Sequence, residues 1–263
     1  MTSSDIVSPQ QSASPNTPEA RGDAYRKQGR IEQAIRSYLE AVTFPLSPAL
    51  CLKLARCYDK LEHHSDACKW ALSLVEAGDD YTTWLTAWTL FQRHADQGGW
   101  PKLRSAKVAM VSSYTTTQLC PLLQLAAARL GIHIDLYESH YGQYQQDIID
   151  PGSRLYAFAP NIVILAVHEG DLRLPEYSST PEQDIRTEVD RWTALWKLVA
   201  ERAQARVIQH NFALPCEVPA GNLATRLPGS RYMMTQAVNM RLGEAAGHAV
   251  SLVDCERLSA LIG

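Results

Sequence analysis

Polar side chains follow the apolar runs in the second half of this 263-residue sequence. They comprise hydroxyls, imidazoles, an amide and carboxylates: Ser112, Ser113, His168, Glu169, His210, Asn211 and Asp254. If each apolar run is a strand of one open α/β sheet, these residues meet at the carboxyl edge, where such sheets bind ligands. A hydroxyl, an imidazole and an amide together suit acyl transfer. The residue types therefore predict a site for acyl chemistry at one edge of a sheet.

The segment KVAMVSSYTTTQL at 107–119 also has a purely structural interpretation. Thr115, Thr116 and Thr117 precede an apolar, helix-like stretch, and threonine hydroxyls commonly cap the free N–H groups at a helix start. The sequence has no GxSxG elbow, Walker loop or GxGxxG motif, and HEGD at 168–171 lacks the HExxH spacing of zinc proteases. A ligand site and simple capping both stay open, and no metal site is predicted.

Cysteine is the other candidate nucleophile. Cys120 begins the helix-like stretch, and a helix N-terminus lowers the pKa of a thiol. Its neighbours Leu119 and Pro121 favour burial instead, and both alternatives stand. Cys216 follows Pro215 in a loop, where a thiol can be more exposed. None of the six cysteines forms a CxxC pair, so the set as a whole is predicted to be free, packed thiols.

Strand-like and helix-like segments alternate over residues 106–263. Strands are predicted at 107–111, 133–138, 161–167, 206–212 and 249–254, helices at 118–131, 181–204 and 230–246, and a combined loop and helix at 141–158. This alternation predicts an α/β domain with a doubly wound parallel sheet in three layers, as in flavodoxin-like folds. The uninterrupted apolar run NIVILAV is typical of a strand buried on both faces.

Residues 19–97 follow a different, all-helical pattern. Small and aromatic residues occupy the positions that tetratricopeptide repeats use: Gly22, Tyr25, Gly29, Ala34, Tyr38 and Ala41. Tyr58 lies 33 residues after Tyr25, close to the repeat length of about 34. A third stretch with Trp84, Trp88 and Phe91 on one face is a degenerate repeat or a capping helix. We expect a linker at 98–105 and a disordered tail rich in Ser, Pro and Gln at 1–18.

Composition limits the possible partners and location. Apolar residues make up 46% of the chain, its net charge is −3 and its pI is about 6.2. Neither nucleic acid nor an anionic membrane is therefore expected as a partner. No apolar run approaches the roughly 20 residues that span a bilayer, and the N-terminus lacks the features of a signal peptide. We expect a cytoplasmic protein.

The second half of the chain resembles a known family. The run from VAMVSSYTTTQL through YESHYGQYQQDIIDPGSRLYAF to NIVILAVHEGDL, followed by QHNFALPCEVPAGNL and SLVDCERLSALIG, looks like the N-terminal SGNH-hydrolase-like domain of FkbH-like proteins. In that family a haloacid-dehalogenase-like domain with a DxDxT loop, for which Mg²⁺ is expected, follows. The resemblance implies capture of a glyceryl unit from a phosphorylated intermediate and its loading as a thioester on an acyl carrier protein in polyketide-type biosynthesis.

The resemblance also assigns roles to residues. Against the strand–GDS–x–T block of the SGNH superfamily, Ser113 falls at the nucleophile, whereas the Gly and Asp are replaced and the terminal Asp-x-x-His pair is missing. The catalytic candidates are Ser113, His168 as a substitute base, and Cys120. The substrate-binding candidates are Ser112, Thr115, Glu169, His210 and Asn211.

The predicted role is a part of an acyl-carrier-protein-dependent enzyme. The α/β domain would assist glyceryl transfer, and the repeats would dock a carrier protein or megasynthase subunit. Lys102, Arg104 and Lys107 form one candidate basic patch for an acidic carrier. No DxDxT loop occurs in these residues, so a haloacid-dehalogenase-like partner is expected. We also expect the chain to be an excised fragment or one part of a split or multidomain protein. The alternatives are a stand-alone serine esterase and a non-catalytic interaction module.

Overall fold

The computed structural model describes residues 17–101, 104–214 and 218–262, and the chain divides into two compact units near residue 102. The expected disordered tail lies almost entirely outside the described residues, as do Lys102 and Cys216. We call the first unit the helical unit and the second the α/β unit. Among the described residues, no helix is long and apolar enough to cross a membrane.

The helical unit is built from successive antiparallel helices. Its described residues form α1 (Pro18–Lys27), α2 (Ile31–Glu40), α3 (Pro48–Lys60), α4 (His64–Ala77) and α5 (Tyr81–His94). Two features start α1: Pro18 occupies the first turn, and the Thr17 hydroxyl accepts a hydrogen bond from the Ala20 amide at 3.2 Å. Gly29, at φ +76°, takes the left-handed conformation that turns the chain from α1 into α2.

A small residue against a large one fixes how α1 and α2 pack. Gly22 is buried against the ring of Tyr38, which is fully buried, and a Cβ at Gly22 would lie 2.5 Å from ring atoms. The Tyr38 hydroxyl donates to Asp23 at 2.7 Å, and Lys53 from α3 donates to the other oxygen of the same carboxylate. The pair Gly22–Tyr38 thus brings α1 and α2 close together, and Asp23 ties α3 to them.

The helical unit ends within the segment 98–105, where the chain passes from one unit to the other. After α5, a π-helical turn spans Ala95–Gly99, within which Gly98 adopts a positive φ of +79°. Gly99 packs so closely that a Cβ would lie 2.6 Å from the carbonyl oxygen of His64. Trp100 is buried edge-on against Phe91 at 5.6 Å between ring centroids. Gly98 thus supplies a left-handed turn, and Gly99 permits close packing at the end of the helical unit.

The α/β unit contains the five-stranded, all-parallel sheet that the alternation predicted. Its strands are β1 (Arg104–Ser112), β2 (Ile132–Glu138), β3 (Ile162–Ala166), β4 (Arg206–His210) and β5 (Val250–Val253), in the order β2-β1-β3-β4-β5. Its helices are α6 (Leu119–Arg129), α7 (Tyr144–Ile149), α8 (Arg154–Phe158), α9 (Pro181–Ala203), α10 (Arg231–Ala245) and α11 (Cys255–Ile262). This flavodoxin-like order has its switch point between β1 and β3, where such folds bind ligands.

Helices cover both faces of this sheet. Ala109 and Val111 of β1 join an apolar cluster with residues of α7, α8, α9 and α10, whereas Val108 and Met110 join a second cluster with α6. This division follows from the alternation of side chains along a strand. The segment 141–158 contains the two short helices α7 and α8, and the turn between them is held by the Gly152 amide, which donates to Asp150, and by Ser153, which donates to the carbonyl of Asp147.

One ion pair is buried where α9 packs on the sheet. The Glu188 carboxylate accepts from Arg191 Nη2 at 2.6 Å and from Trp192 Nε1 at 3.2 Å. The side chains of Glu188 and Arg191 are only 3% and 14% exposed. Arg191 Nη2 also donates to the carbonyl of Asp171, in the segment that follows β3. This pair fixes α9 to that segment.

Candidate functional site

Ser113 lies at the switch point, directly after β1. Its amide donates to the carbonyl of Ala166 at 3.0 Å, which continues the β1–β3 pairing by one residue. Its hydroxyl oxygen accepts from the backbone N–H of His168 at 3.2 Å, and the residue is only 6% exposed. The structure therefore places Ser113 and His168 side by side, but the contact is between a hydroxyl and a backbone amide.

The His168 imidazole is held in a local capping turn. Its Nδ1 accepts from the Gly170 amide at 2.9 Å, and its Nε2 lies 3.8 Å from an Asp171 carboxylate oxygen. A neutral imidazole whose Nδ1 accepts a hydrogen bond carries its proton on Nε2. With Nδ1 occupied and Nε2 protonated, the neutral ring has no free lone pair for the Ser113 proton. This geometry does not supply the serine with a general base.

Tyr114 and His210 form a pair that the residue pattern did not single out. The Tyr114 hydroxyl lies 2.9 Å from His210 Nδ1, and the Tyr114 ring is 6.4 Å from the rings of both His168 and His210. Burial lowers the pKa of His210 and raises the pKa of Tyr114 to about 12. A neutral His210 that accepts a hydrogen bond from the tyrosine hydroxyl is consistent with both pKa shifts. The sequence feature that could have identified Tyr114 is its position in SSYTT, between the candidate residues Ser113 and Thr115.

A cavity of about 350 Å³ opens beside this pair, at the ends of β1 and β2. It is lined by Ser112 and by residues 114–117 and 138–141. Within it, Thr116 and Thr117 donate to the same Glu138 oxygen at 2.8 and 3.1 Å. These hydroxyls thus anchor Glu138, while Thr115 is exposed. The hydroxyl cluster borders a cavity, as a ligand site requires.

Comparison with protein families identifies the domain that carries this site. Residues 107–261 match the family model described as FkbH, N-terminal domain. The chain belongs to this family.

Solved structures and curated sequences add little beyond the fold of this FkbH domain. The N-terminal part of the protein BF1531 from Bacteroides fragilis, described as containing a phosphatase domain complexed with Mg, is 22% identical with a TM-score of 0.52. The match covers 61% of this chain and 43% of that one, so the chain spans less than half of that structure. A search of curated proteins gives no significant match.

A second solved structure resembles this chain only weakly. It is a novel cobalamin-binding protein from Desulfitobacterium hafniense DCB-2, which is 14% identical with a TM-score of 0.30 over 88% of this chain and 97% of that one.

Two of the predicted binding residues have other partners in the FkbH domain. The Asn211 side chain donates to Asp254 at 2.9 Å and accepts from the Glu256 amide at 3.0 Å, which ties the end of β4 to the start of α11. The amide of Asn211 is therefore engaged and is not a free oxyanion donor. Glu169 is part of the short 3₁₀ turn Glu169–Asp171 that His168 caps, and its side chain is 38% exposed.

The environment of Cys120 argues against its selection as a nucleophile. The residue is 4% exposed and packs in the cluster of Val108 and Met110. Burial, and to a lesser extent the nearby charge of Glu138, raises the pKa of the thiol to about 11. A pKa raised to this extent disfavours the reactive thiolate at neutral pH. The burial favoured by Leu119 and Pro121 is the alternative that the structure supports.

The described residues of the candidate basic patch differ in their exposure. Lys107 donates to the carbonyl of Phe158 at 3.1 Å and lies over the ring of that residue, so it is partly engaged, whereas Arg104 is exposed. In the part of the chain that the structure describes, no three His, Cys, Asp or Glu side chains are grouped to hold a metal ion. The FkbH domain thus presents a hydroxyl-lined cavity next to a neutral imidazole–tyrosine pair.

Proposed function

We propose that this chain is part of an acyl-carrier-protein-dependent enzyme of natural-product, polyketide-type biosynthesis. In this proposal the α/β unit is of the SGNH-hydrolase kind and assists transfer of a glyceryl-type acyl unit to the carrier. The helical hairpins of the first unit are of the tetratricopeptide kind and dock a protein partner. The observation that carries the proposal is the match of residues 107–261, nearly the whole α/β unit, to the FkbH N-terminal domain.

The cavity beside β1 gives this role a physical basis. A glyceryl unit has several hydroxyls, which need donors and acceptors when they leave water. Ser112, Thr115, Thr117 and Glu138 line the cavity with such groups. Ser113 lacks a base, so we assign the turn to holding the acyl unit rather than to attacking it.

The test is reconstitution of carrier loading. The chain, a haloacid-dehalogenase-like protein with Mg²⁺, a glyceryl phosphate donor and an acyl carrier protein are incubated together, and intact-mass spectrometry follows the glyceryl mass. We expect the carrier to gain this mass faster with the chain than without it. If neither the chain nor the carrier is loaded in the complete mixture, the proposal fails.

The contacts of the His168 imidazole favour one alternative, a non-catalytic interaction module. Both imidazole nitrogens of His168 face groups of its own capping turn, and such a site binds without chemistry. In that case partner binding survives substitution of Ser113, His168 and Cys120 alike, and no species is ever loaded. A stand-alone serine esterase would require a base at Ser113, which the position of His168 does not provide.

A further inference from the structure

A second cavity, of about 380 Å³, opens in the helical unit on the side formed by α1, α3 and α5. Four cationic side chains from these three helices line it: Arg26, Arg56, Lys60 and Arg93. We call this set the basic groove. The sequence gives little sign of it, because these residues are spread over 68 positions and the helical unit is not basic overall.

Four cationic side chains but a single carboxylate line the basic groove. Asp59 is the carboxylate that lines the cavity, and it already accepts from Arg93 Nη1 at 2.6 and 2.8 Å and from His94 Nε2 at 2.8 Å. Burial alone would raise the pKa of Asp59, but these hydrogen bonds outweigh it and hold the pKa below its ordinary value. Asp59 is thus fully used by Arg93 and His94.

The other three cations have no such partner. Within the described ranges, no carboxylate oxygen lies within 4.0 Å of the charged groups of Arg26, Arg56 or Lys60. Nε of Arg26 is buried without a hydrogen-bond acceptor. Solvated surface cations are common, but a buried guanidinium N–H without an acceptor is costly.

The groove also has an apolar base and neutral polar sides. Cys57 and Leu90 are buried at its lining, at 1% and 6% exposure. The hydroxyls of Thr86 and Thr89 donate to backbone carbonyls one turn earlier, at 2.8 and 2.9 Å, which leaves their oxygens able to accept. Cationic sides over an apolar base match a helix that carries both carboxylates and apolar side chains.

We propose that the basic groove binds an acidic, amphipathic helical segment of a partner protein. Its carboxylates pair with Arg26, Arg56 and Lys60, and its apolar side chains face the base of the groove at Cys57 and Leu90. This inference rests on the docking role proposed above for the helical unit, for which it names the surface and the chemistry of the partner. It does not depend on acyl transfer by the α/β unit.

The test measures binding of a defined probe to the full chain by fluorescence anisotropy. The probe is a fluorescein-labelled peptide of about 15 residues with Leu and Glu at helical spacing, and its control is the same peptide with Gln in place of every Glu. The groove variant carries Arg56→Gln and Lys60→Gln, both at exposed positions. The matched variant carries Lys27→Gln and Lys69→Gln, which remove the same charge from exposed positions outside the groove.

We expect the Glu peptide to bind the wild type and the matched variant alike, and the groove variant about tenfold more weakly. Binding should weaken as NaCl rises from about 0.05 to about 0.5 M, because salt screens the pairs. Circular dichroism checks that both variants keep their helical content.

Three results would overturn the proposal: no binding of the Glu peptide to the wild type, equal binding of the Gln peptide, or an equal effect of the groove and matched variants. The carrier-loading assay is independent of this one. If the carrier is not loaded but the peptide binds, the acyl-transfer role is wrong and the basic groove stands. If the carrier is loaded but the peptide does not bind, only the basic groove is wrong.

Discussion

The tautomer of His168 determines what Ser113 can do. The Gly170 amide occupies Nδ1 at 2.9 Å, so the proton of the neutral ring lies on Nε2, on the side of Asp171. A serine hydroxyl without a base has a pKa far above neutrality and is a poor nucleophile. The hydroxyl of Ser113 instead accepts from the His168 amide and helps to hold the turn after β3. Its contribution is to position the backbone.

We predict that the chain hydrolyses a p-nitrophenyl ester no faster than buffer and that Ser113→Ala gives the same rate. The substitution removes one acceptor from the His168 amide, which also lies 3.4 Å from Asp171 Oδ2, so the loss in stability should be about 1 kcal/mol or less. Spectrophotometric ester hydrolysis and urea unfolding check both parts. Turnover by the wild type that Ser113→Ala abolishes would show that the serine does have a base.

A pH dependence follows from the burial of His210. Burial lowers the pKa of His210 in the folded chain, whereas the unfolded chain has the ordinary value of 6.5. As the pH falls below 6.5, the unfolded state takes up a proton that the folded state resists, so the free energy of unfolding decreases; above 6.5 this contribution to the pH dependence vanishes. We expect His210→Gln to lose stability less steeply on acidification than the wild type.

The measurement is urea unfolding on both sides of that pH, combined with NMR titration of the imidazole signals. His210 should titrate below its ordinary value. A His248→Gln variant, at an exposed imidazole of the α/β unit, is the matched control. Parallel acid profiles for wild type and His210→Gln would show that the imidazole is not desolvated.

At the scale of elements, the position of α9 depends on the buried ion pair between Glu188 and Arg191. Breaking a buried ion pair leaves its partner uncompensated, whereas breaking an exposed pair costs little. We therefore predict that Glu188→Gln lowers the free energy of unfolding by about 3 kcal/mol. Glu201→Gln, at an exposed pair with Lys197 on the same helix, should change it by less than about 0.5 kcal/mol. Urea unfolding followed by circular dichroism distinguishes the two, and equal effects would contradict the role of burial.

Replacing either of two helical glycines with alanine should change the stability of the chain, in opposite directions for the two positions. Gly22→Ala should destabilise the chain by about 1–3 kcal/mol, because the new methyl would meet the buried Tyr38 ring. Gly243→Ala, in α10 with open space around it, should stabilise it by about 0.5–1 kcal/mol, because alanine is the better helix former. Thermal unfolding of both variants is the measurement. A stabilising Gly22→Ala would mean that α1 and α2 separate easily.

At the scale of the whole molecule, the two proposed surfaces should affect different kinetic constants of carrier loading. Arg56→Gln with Lys60→Gln should raise the half-saturating carrier concentration about tenfold, if the acidic segment belongs to the carrier. Thr115→Val, which removes one exposed hydroxyl from the cavity beside β1, should raise that of the glyceryl donor about two- to tenfold. Steady-state loading with each component varied separately measures both. Identical shifts in both constants from either change would contradict separate roles.

The sequence anticipated the elements better than the contacts between side chains. Apolar alternation predicted all five strands and their parallel arrangement, because burial on two faces leaves a local pattern. The residue pattern also placed Ser113 and His168 at the ends of neighbouring strands. It could not predict that they meet through a backbone amide, or that Asn211 is engaged with Asp254, because those partners depend on angles and distances between distant segments. The basic groove could not be predicted for the same reason, because its residues come from three helices.

The parallel order β2-β1-β3-β4-β5 has a consequence for the speed of folding. Every strand pairing in it joins segments separated by a whole crossover, so loops must close before any pairing forms. The hairpins of the helical unit instead join neighbours along the chain, such as α1 with α2, and these residues also leave the ribosome first. The N-terminal unit is therefore expected to reach its native contacts early in synthesis, while the sheet must wait for β5.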